Sequence, residues 1–137
     1  MKKILVLIAA SFLFFIGCSP KISGNIRPGD IPEEHPDYAV LYLYRPGAYV
    51  QTPYDVHLGD QVVFRSRNKA RAVIKIDKPG RYELWGKTET RESIVLDIKA
   101  GEDYYVRSYV KFGAAVWRPQ FDLMPEASGR AEWNAMK

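Results

Sequence analysis

One cysteine, two histidines and no long apolar run beyond residue 16 are the scarcities of this 137-residue chain. The single thiol, Cys18, excludes an internal disulfide and any zinc site built on paired cysteines. His35 and His57 stand in no His-Glu-x-x-His pattern. A Gly-x-Ser-x-Gly elbow is missing, and so is a Gly-x-x-x-x-Gly-Lys-Ser/Thr phosphate loop. These gaps remove the commonest hydrolase, metalloprotease and nucleotide-binding signatures, and no cofactor is expected. An excess of either sign of charge is also small. The formal net charge is +4, and Lys2 and Lys3 at the extreme N-terminus supply half of that excess. Without a clustered basic face this is no footprint for nucleic acid. No internal repeat or low-complexity tract occurs, and no helical segment separates the strand-like runs, which excludes a parallel α/β fold.

What is present begins with the leader. Met1-Lys2-Lys3 precedes an almost wholly apolar run over residues 4–16, followed by Gly17-Cys18-Ser19. A positive start, a short apolar stretch and a small residue before a cleavage point make a secretory signal. At about 1.5 Å per residue the run spans roughly 20 Å, short of the ~30 Å of a bilayer's hydrocarbon core. The cysteine after the small residue resembles the bacterial lipoprotein signal, in which the thiol is lipidated and becomes the mature N-terminus. Phe15 stands where that pattern usually has Leu. Ser19 after the cysteine, in place of Asp, resembles an outer-membrane address facing the periplasm. The expected organisation is a signal peptide over 1–17, a lipidated N-terminus and flexible tether over 18–37, and one β-domain over 38–137. The tether reading rests on Pro20, Pro28, Pro32, Pro36, Gly24 and Gly29 without a periodic apolar pattern. Extended, residues 19–37 would reach about 60 to 65 Å. Glu33, Glu34, His35 and Asp37 read as solvated linker residues, with cation binding as the alternative.

From Tyr38 the chain alternates in short runs bounded by Gly, Pro, Asp and Asn. Strands are expected over 39–44, 54–58, 61–65, 70–76, 81–88, 93–99, 104–112 and 120–124. A short helix after Pro125 would bring Trp133 back onto the sheet. Gly59-Asp60 suits a tight hairpin. The apolar positions of these strands, among them Val56, Leu58, Val62, Phe64, Ile74, Ile76, Leu84, Leu96, Val106 and Phe112, fall on one side. Seven or eight antiparallel strands with one wet face suit a β-sandwich, immunoglobulin-like or similar, and the class is all-β.

Four segments carry a family resemblance. They are Tyr42-Leu43-Tyr44-Arg45-Pro46, Val56-His57-Leu58-Gly59-Asp60, Pro79-Gly80-Arg81-Tyr82-Glu83-Leu84, and Leu96 through Arg107 followed by Trp117-Arg118-Pro119. As a series, over roughly residues 38 to 127, they resemble the bacterial envelope-protein family catalogued as domain of unknown function 2846. Its members are often small lipoproteins. The resemblance implies an envelope location and a β-rich domain, with no catalytic signature to carry over. Gly59-Asp60 departs from the Asp-Gly or Asn-Gly expected in that family's hairpin.

The chemistry that can be drawn from the strands is of two kinds. Asp55, His57 and Ser66 could form a hydrolytic trio, a constellation that almost any β protein offers on paper. Surface aromatics beside cations are the better candidates for binding: Tyr105, Arg107 and Tyr109 with Lys111 on the outer face of the longest strand, Trp85 on its own strand, and Arg45, Tyr49, Trp117 and Arg118 around two arginine-proline pairs. For the arginines, pinning loops to backbone carbonyls competes with forking onto a carboxylate or phosphate. For Tyr105 and its neighbours, cover by the tether or the C-terminal helix competes with an open face. The expected function is a lipid-anchored bacterial envelope protein, held to the membrane by palmitate-type lipid on Cys18, with a non-catalytic β-sandwich that binds protein or cell-wall partners. A small envelope hydrolase and a periplasmic carbohydrate binder using Trp85 or Trp117 are the alternatives.

Overall fold

The alternation after Tyr38 resolves into strands that form two packed sheets in the computed structural model, which describes Ile22–Met136. In chain order the elements are β1 (Ile22–Asn25), a 3-10 turn (Pro28–Asp30), β2 (Ala39–Tyr44), β3 (Tyr54–Leu58), β4 (Gln61–Ser66), β5 (Arg71–Ile76), β6 (Gly80–Lys87), β7 (Arg91–Ile98), β8 (Asp103–Gly113), β9 (Val116–Met124) and α1 (Glu126–Ala135). One sheet has the order β1-β5-β2-β8-β9 and the other β4-β3-β6-β7. The chain crosses between sheets after β2, β4, β5 and β7. All neighbours are antiparallel except β2 and β8, which run side by side in the same direction. This is the all-β sandwich with a C-terminal helix that the alternation implied.

Leu41, Leu43, Val56, Leu58, Ile74, Ile76, Leu84 and Val106 are fully buried between the sheets. Each full burial of such a side chain is worth about 1.5–3 kcal/mol, so this layer supplies most of the driving force for folding. The β3–β4 hairpin turns through Gly59 and Asp60, with Leu58 facing Gln61. Gly59 has φ +60°, while Asp60 is not among the positive-φ residues. That pattern belongs to a II′ turn, which needs glycine at its first central position. The Gly-Asp order therefore suits the hairpin it closes.

Three expectations are corrected. First, the segment expected to be a flexible tether over 18–37 joins the domain from Ile22 onward. Backbone bonding along β5 makes Ile22–Asn25 a further edge strand, and Ile26 and Ile31 pack on the outer face of the five-stranded sheet. Residues 19–21 are what is left of the expected tether, and they lie outside the described residues, as do Cys18 and the leader. Second, Val62 is 56% exposed, not core. A bulge between Val56 and His57 and their partners sets Val56 opposite Phe64 and His57 opposite Val62. The extra residue, Val63, packs on the core in its place, because one inserted residue flips the alternation. Third, Phe112 is also 56% exposed. It lies on the part of β8 that runs past its pairing with β2, which ends at Tyr44 opposite Arg107.

The outer face of the five-stranded sheet carries a second apolar cluster. Val40, Tyr44, Val73, Tyr105 and Trp133 are buried there, with Tyr42 and Met124 beside them. Helix α1 lies on this face. It starts after Pro125, with Glu126 in its first turn, where a carboxylate complements the helix dipole. Gly129 is what lets it come close. A Cβ built there would sit against Cβ of Tyr105 and 2.7 Å from its Cγ, inside contact distance. Trp133 then stands edge-on to Tyr42 at 5.1 Å and to Tyr44 at 6.1 Å between ring centres.

Candidate functional site

β8 brings most of the candidate binding residues to one face, because residues two apart on a strand point the same way. Tyr105, Arg107, Tyr109 and Lys111 form this row, and the β9 partners Asp122, Gln120 and Arg118 stand opposite the last three. The row passes from covered to open. Tyr105 is 3% exposed under α1, stacked on Tyr42 at 4.5 Å. It is therefore part of the second core and not a binding residue. Arg107 is half-buried and fully engaged. It donates from Nη2 to Asp122 Oδ2 at 2.9 Å and from Nη1 to Glu132 Oε1 at 3.1 Å. The Asp122 bond leads the effects that raise the Arg107 pKa above its ordinary value. Tyr44 O–H donates to the other Glu132 oxygen at 2.8 Å, so this carboxylate ties the helix to two strands.

Above Arg107 the face opens. Pro46, Gly47 and Ala48 form a wall opposite Arg107 and Tyr109, around a cleft of about 400 Å³. Tyr109 is half-buried there. Burial first, and the Asp122 charge second, push its phenol pKa up, so it stays a neutral O–H. Tyr49 follows the same loop wall and is 102% exposed. A second cleft of about 260 Å³ lies further along, lined by Lys111, Gly113, Ala114, Arg118 and Gln120. The β8–β9 hairpin ends just beyond it in Ala114 and Ala115, with φ +51° and +63°. Two left-handed residues in a two-residue turn match type I′, which favours Asn-Gly; alanine holds that shape at a cost.

The remaining candidates are placed elsewhere. Arg45 is 1% exposed, and burial lowers its pKa. Its guanidinium donates to the carbonyls of Thr52 at 2.7 Å, Val50 at 2.8 Å and Ser66 at 3.3 Å. It staples the 46–53 loop to the sandwich, so the binding role considered for it is corrected to loop pinning. Trp85 lies on the outer face of the other sheet. His57 stacks on it at 3.8 Å, and the Arg91 guanidinium lies over it at 4.1 Å. Two groups that close cannot share one ring face, so both faces of the indole are taken. Its N–H donates to Gly59 O at 2.8 Å. Trp117 packs on Phe112 at 4.8 Å, and its backbone N–H donates to Glu89 at 2.7 Å. The Trp85 indole therefore offers no bare face for stacking on a sugar ring, while half-buried Trp117 has one tilted ring contact.

The hydrolytic trio is not brought together. The Asp55 carboxylate accepts from Arg65 at 2.8 Å on the surface, and His57 is engaged with Trp85. Ser66 is buried on the inside, bonded to Ser108 Oγ at 2.9 Å, and Ser108 donates to Tyr44 O at 3.2 Å.

Sequence reasoning missed His35, read as a linker residue. It is 6% exposed. Its Nδ1 is 2.9 Å from Tyr38 O and its Nε2 is 2.8 Å from Asp103 Oδ1. A carbonyl and a carboxylate both accept, so this setting favours the protonated ring, in which both nitrogens donate. Burial pulls its pKa down, but the bonds to Tyr38 and Asp103 outweigh burial and raise it. The clasp fastens the end of the N-terminal segment to the start of β8. A histidine between prolines followed by tyrosine carried no signal for this, since its partner is 68 residues away. Among the described residues no group of three His, Cys, Asp or Glu could hold a metal ion. Compared with known proteins, the chain matches no family model, no curated protein and no solved structure.

Proposed function

We propose that this chain is a lipid-anchored bacterial envelope protein whose sandwich is a non-catalytic interaction module. The open outer face of the β8–β9 hairpin is its working surface. The observation that carries the reading is a polarity of the domain. The proposed anchor, Cys18, is four peptide steps from Ile22, a span of about 14 Å at most. Ile22 pairs with Ile76, and Ile76 with Ala39, next to the residue that faces Asp103 at the start of β8. The 11 residues of β8 then run about 35 Å away from that level. A lipid on Cys18 would hold the domain by one end, close to the bilayer. The hairpin with Tyr109, Lys111, Gln120 and Arg118 would then face away from it, toward protein or cell-wall partners.

Fatty-acid labelling of the expressed full chain tests the anchor. The parent is expected to take up label and sediment with envelope membranes, and Cys18→Ser to lose both. Label retained by Cys18→Ser, or a parent chain that stays unlabelled, would overturn the reading. Crosslinking in the envelope from a photoreactive residue at Tyr49 should then yield discrete adducts, whereas one placed at Lys78 should not. Equal adducts from both positions would remove the hairpin face as the working surface.

A further inference from the structure

We infer that the cleft between Lys111 and Arg118 is a carboxylate-binding site that accepts an acidic peptide segment of a partner protein. The inference rests on the reading of the hairpin face as the interaction surface and names what that surface recognises. Lys111 and Arg118 are direct cross-strand partners on one face. Like charges in that position repel, so the ladder alone gives no reason for the pair. No carboxylate lines the cleft they share. Lys111 makes no ion pair among the described residues. The nearest acid to Arg118 is Glu92, whose Oε1 lies 3.8 Å from Nη1, beyond hydrogen-bond length. Arg118 Nε is enclosed and has no hydrogen-bond partner. The inner Nε is thus out of a ligand's reach, and the partly exposed outer end of the guanidinium is what a ligand can meet.

The missing group is therefore an acceptor with two oxygens and negative charge. The two outer Nη groups of arginine form a fork that matches a single carboxylate, and the lysine ammonium completes the charge balance from the opposite strand. The neighbouring rung presents the Gln120 amide and the Tyr109 ring, and the 46–48 loop walls the next cleft. An amide, a phenol and a weakly polar groove suit a peptide continuing past its acidic side chain. A sugar would need an aromatic face to stack on, and no aromatic ring is among the residues lining this cleft.

The test is calorimetric titration of the full chain in detergent with a blocked peptide carrying two adjacent glutamates. Its Gln-Gln counterpart and inorganic phosphate serve as comparison ligands. The Glu-Glu peptide is expected to bind one to one, and more weakly as salt rises. Lys111→Gln and Arg118→Gln should each weaken it about tenfold or more, the loss expected for one charged hydrogen bond. Arg118→Lys keeps the charge but removes the fork, and should lose most of the affinity. Thermal midpoints of all variants should equal or exceed the parent's. If Arg118→Gln does not fold, exposed Lys111 carries the test alone. Equal binding of the Gln-Gln peptide, no binding of Glu-Glu, or unchanged affinity in Lys111→Gln overturns the proposal. Tighter binding of phosphate than of the peptide overturns it in favour of a phosphate site. None of these outcomes touches labelling at Cys18, so the anchor and the ligand fail separately.

Discussion

Two halves of one strand face share an alternation and differ in everything else. In the lower half of β8, Tyr105 lies under α1 with Trp133, Tyr44 and Val40, and Arg107 is bound on both sides by carboxylates. In the upper half, Tyr109 and Lys111 face clefts, and beyond them the hairpin runs past the rest of the sheet. The difference is not in the strand. It comes from α1, whose 10 residues reach only as far as the Glu132–Arg107 contact. A strand's period says which residues share a face; the length of the element packed on that face decides which of them remain available to a partner.

The largest way to break this comparison is to uncover the lower half. Trp133→Ala removes the indole that closes the second cluster, and Tyr42, Tyr44 and Arg71 all lose their contact with it. A loss of about 3–5 kcal/mol in urea unfolding is expected, the range for buried aromatic truncation. A loss below 1 kcal/mol would mean that the helix covers the face without stabilising it, and the two halves would then differ in access only.

The next effect belongs to the upper half and has the opposite sign. Replacing Ala114-Ala115 by Asn-Gly keeps the turn and relieves two left-handed alanines, each costing about 1–2 kcal/mol. Unfolding should shift toward higher denaturant by roughly 2 kcal/mol, with the Lys111–Arg118 register unchanged. No gain would mean that the two alanines carry no strain in the turn.

These residues also mark how far the sequence could be read. Ala39–Tyr44 and Tyr54–Leu58 were legible to the residue, because tyrosines and branched aliphatics alternate there between clear stops. Trp133 was legible as the residue that returns the helix to the sheet. β1 was not, since Ile22-Ser23-Gly24-Asn25 has little strand propensity and becomes a strand by pairing with β5. Arg45 and Tyr105 could be assigned to their strands but not to their surroundings. Whether a polar or aromatic residue at a strand end is open depends on a loop or helix that arrives from far along the chain. Of the eight candidate binding residues, those left near open clefts are Tyr49, Tyr109 and Arg118, with Arg107 at the boundary. Lys111 and Gln120, which line the second cleft, were visible only as an outer-face lysine and a strand residue until β9 was placed in register.

A third effect depends on pH and concerns the lower half again. The His35 ring faces Asp103 from β8, with Arg130 of α1 at 3.8 Å from the same carboxylate and Glu33, Glu34 and Asp37 in its own segment. Its folded pKa is raised above the ordinary 6.5. The stabilisation is therefore complete below about pH 6.5 and is lost as pH rises through the raised folded value. His35→Ala should accordingly cost more stability at pH 5.5 than at pH 9, read as the difference in thermal midpoint from the parent. A cost that does not change with pH would mean the ring is held as a neutral base.

The smallest effect returns to the upper half and sharpens the contrast most. Lys111→Gln removes one of two like charges that face each other without a carboxylate between them. At low salt the variant should be more stable than the parent by a few tenths of a kcal/mol, the scale of cross-strand charge effects. Salt should shrink the gain, because exposed charges are screened. The matching change in the lower half, Arg107→Gln, should destabilise, since it leaves Asp122 and Glu132 facing each other without their cation. Replacing a cation by glutamine at two positions four residues apart on one face would then have opposite signs. A loss of stability in Lys111→Gln would show that the chain itself already satisfies that lysine, and the upper half would lose its claim to be a surface waiting for an anion.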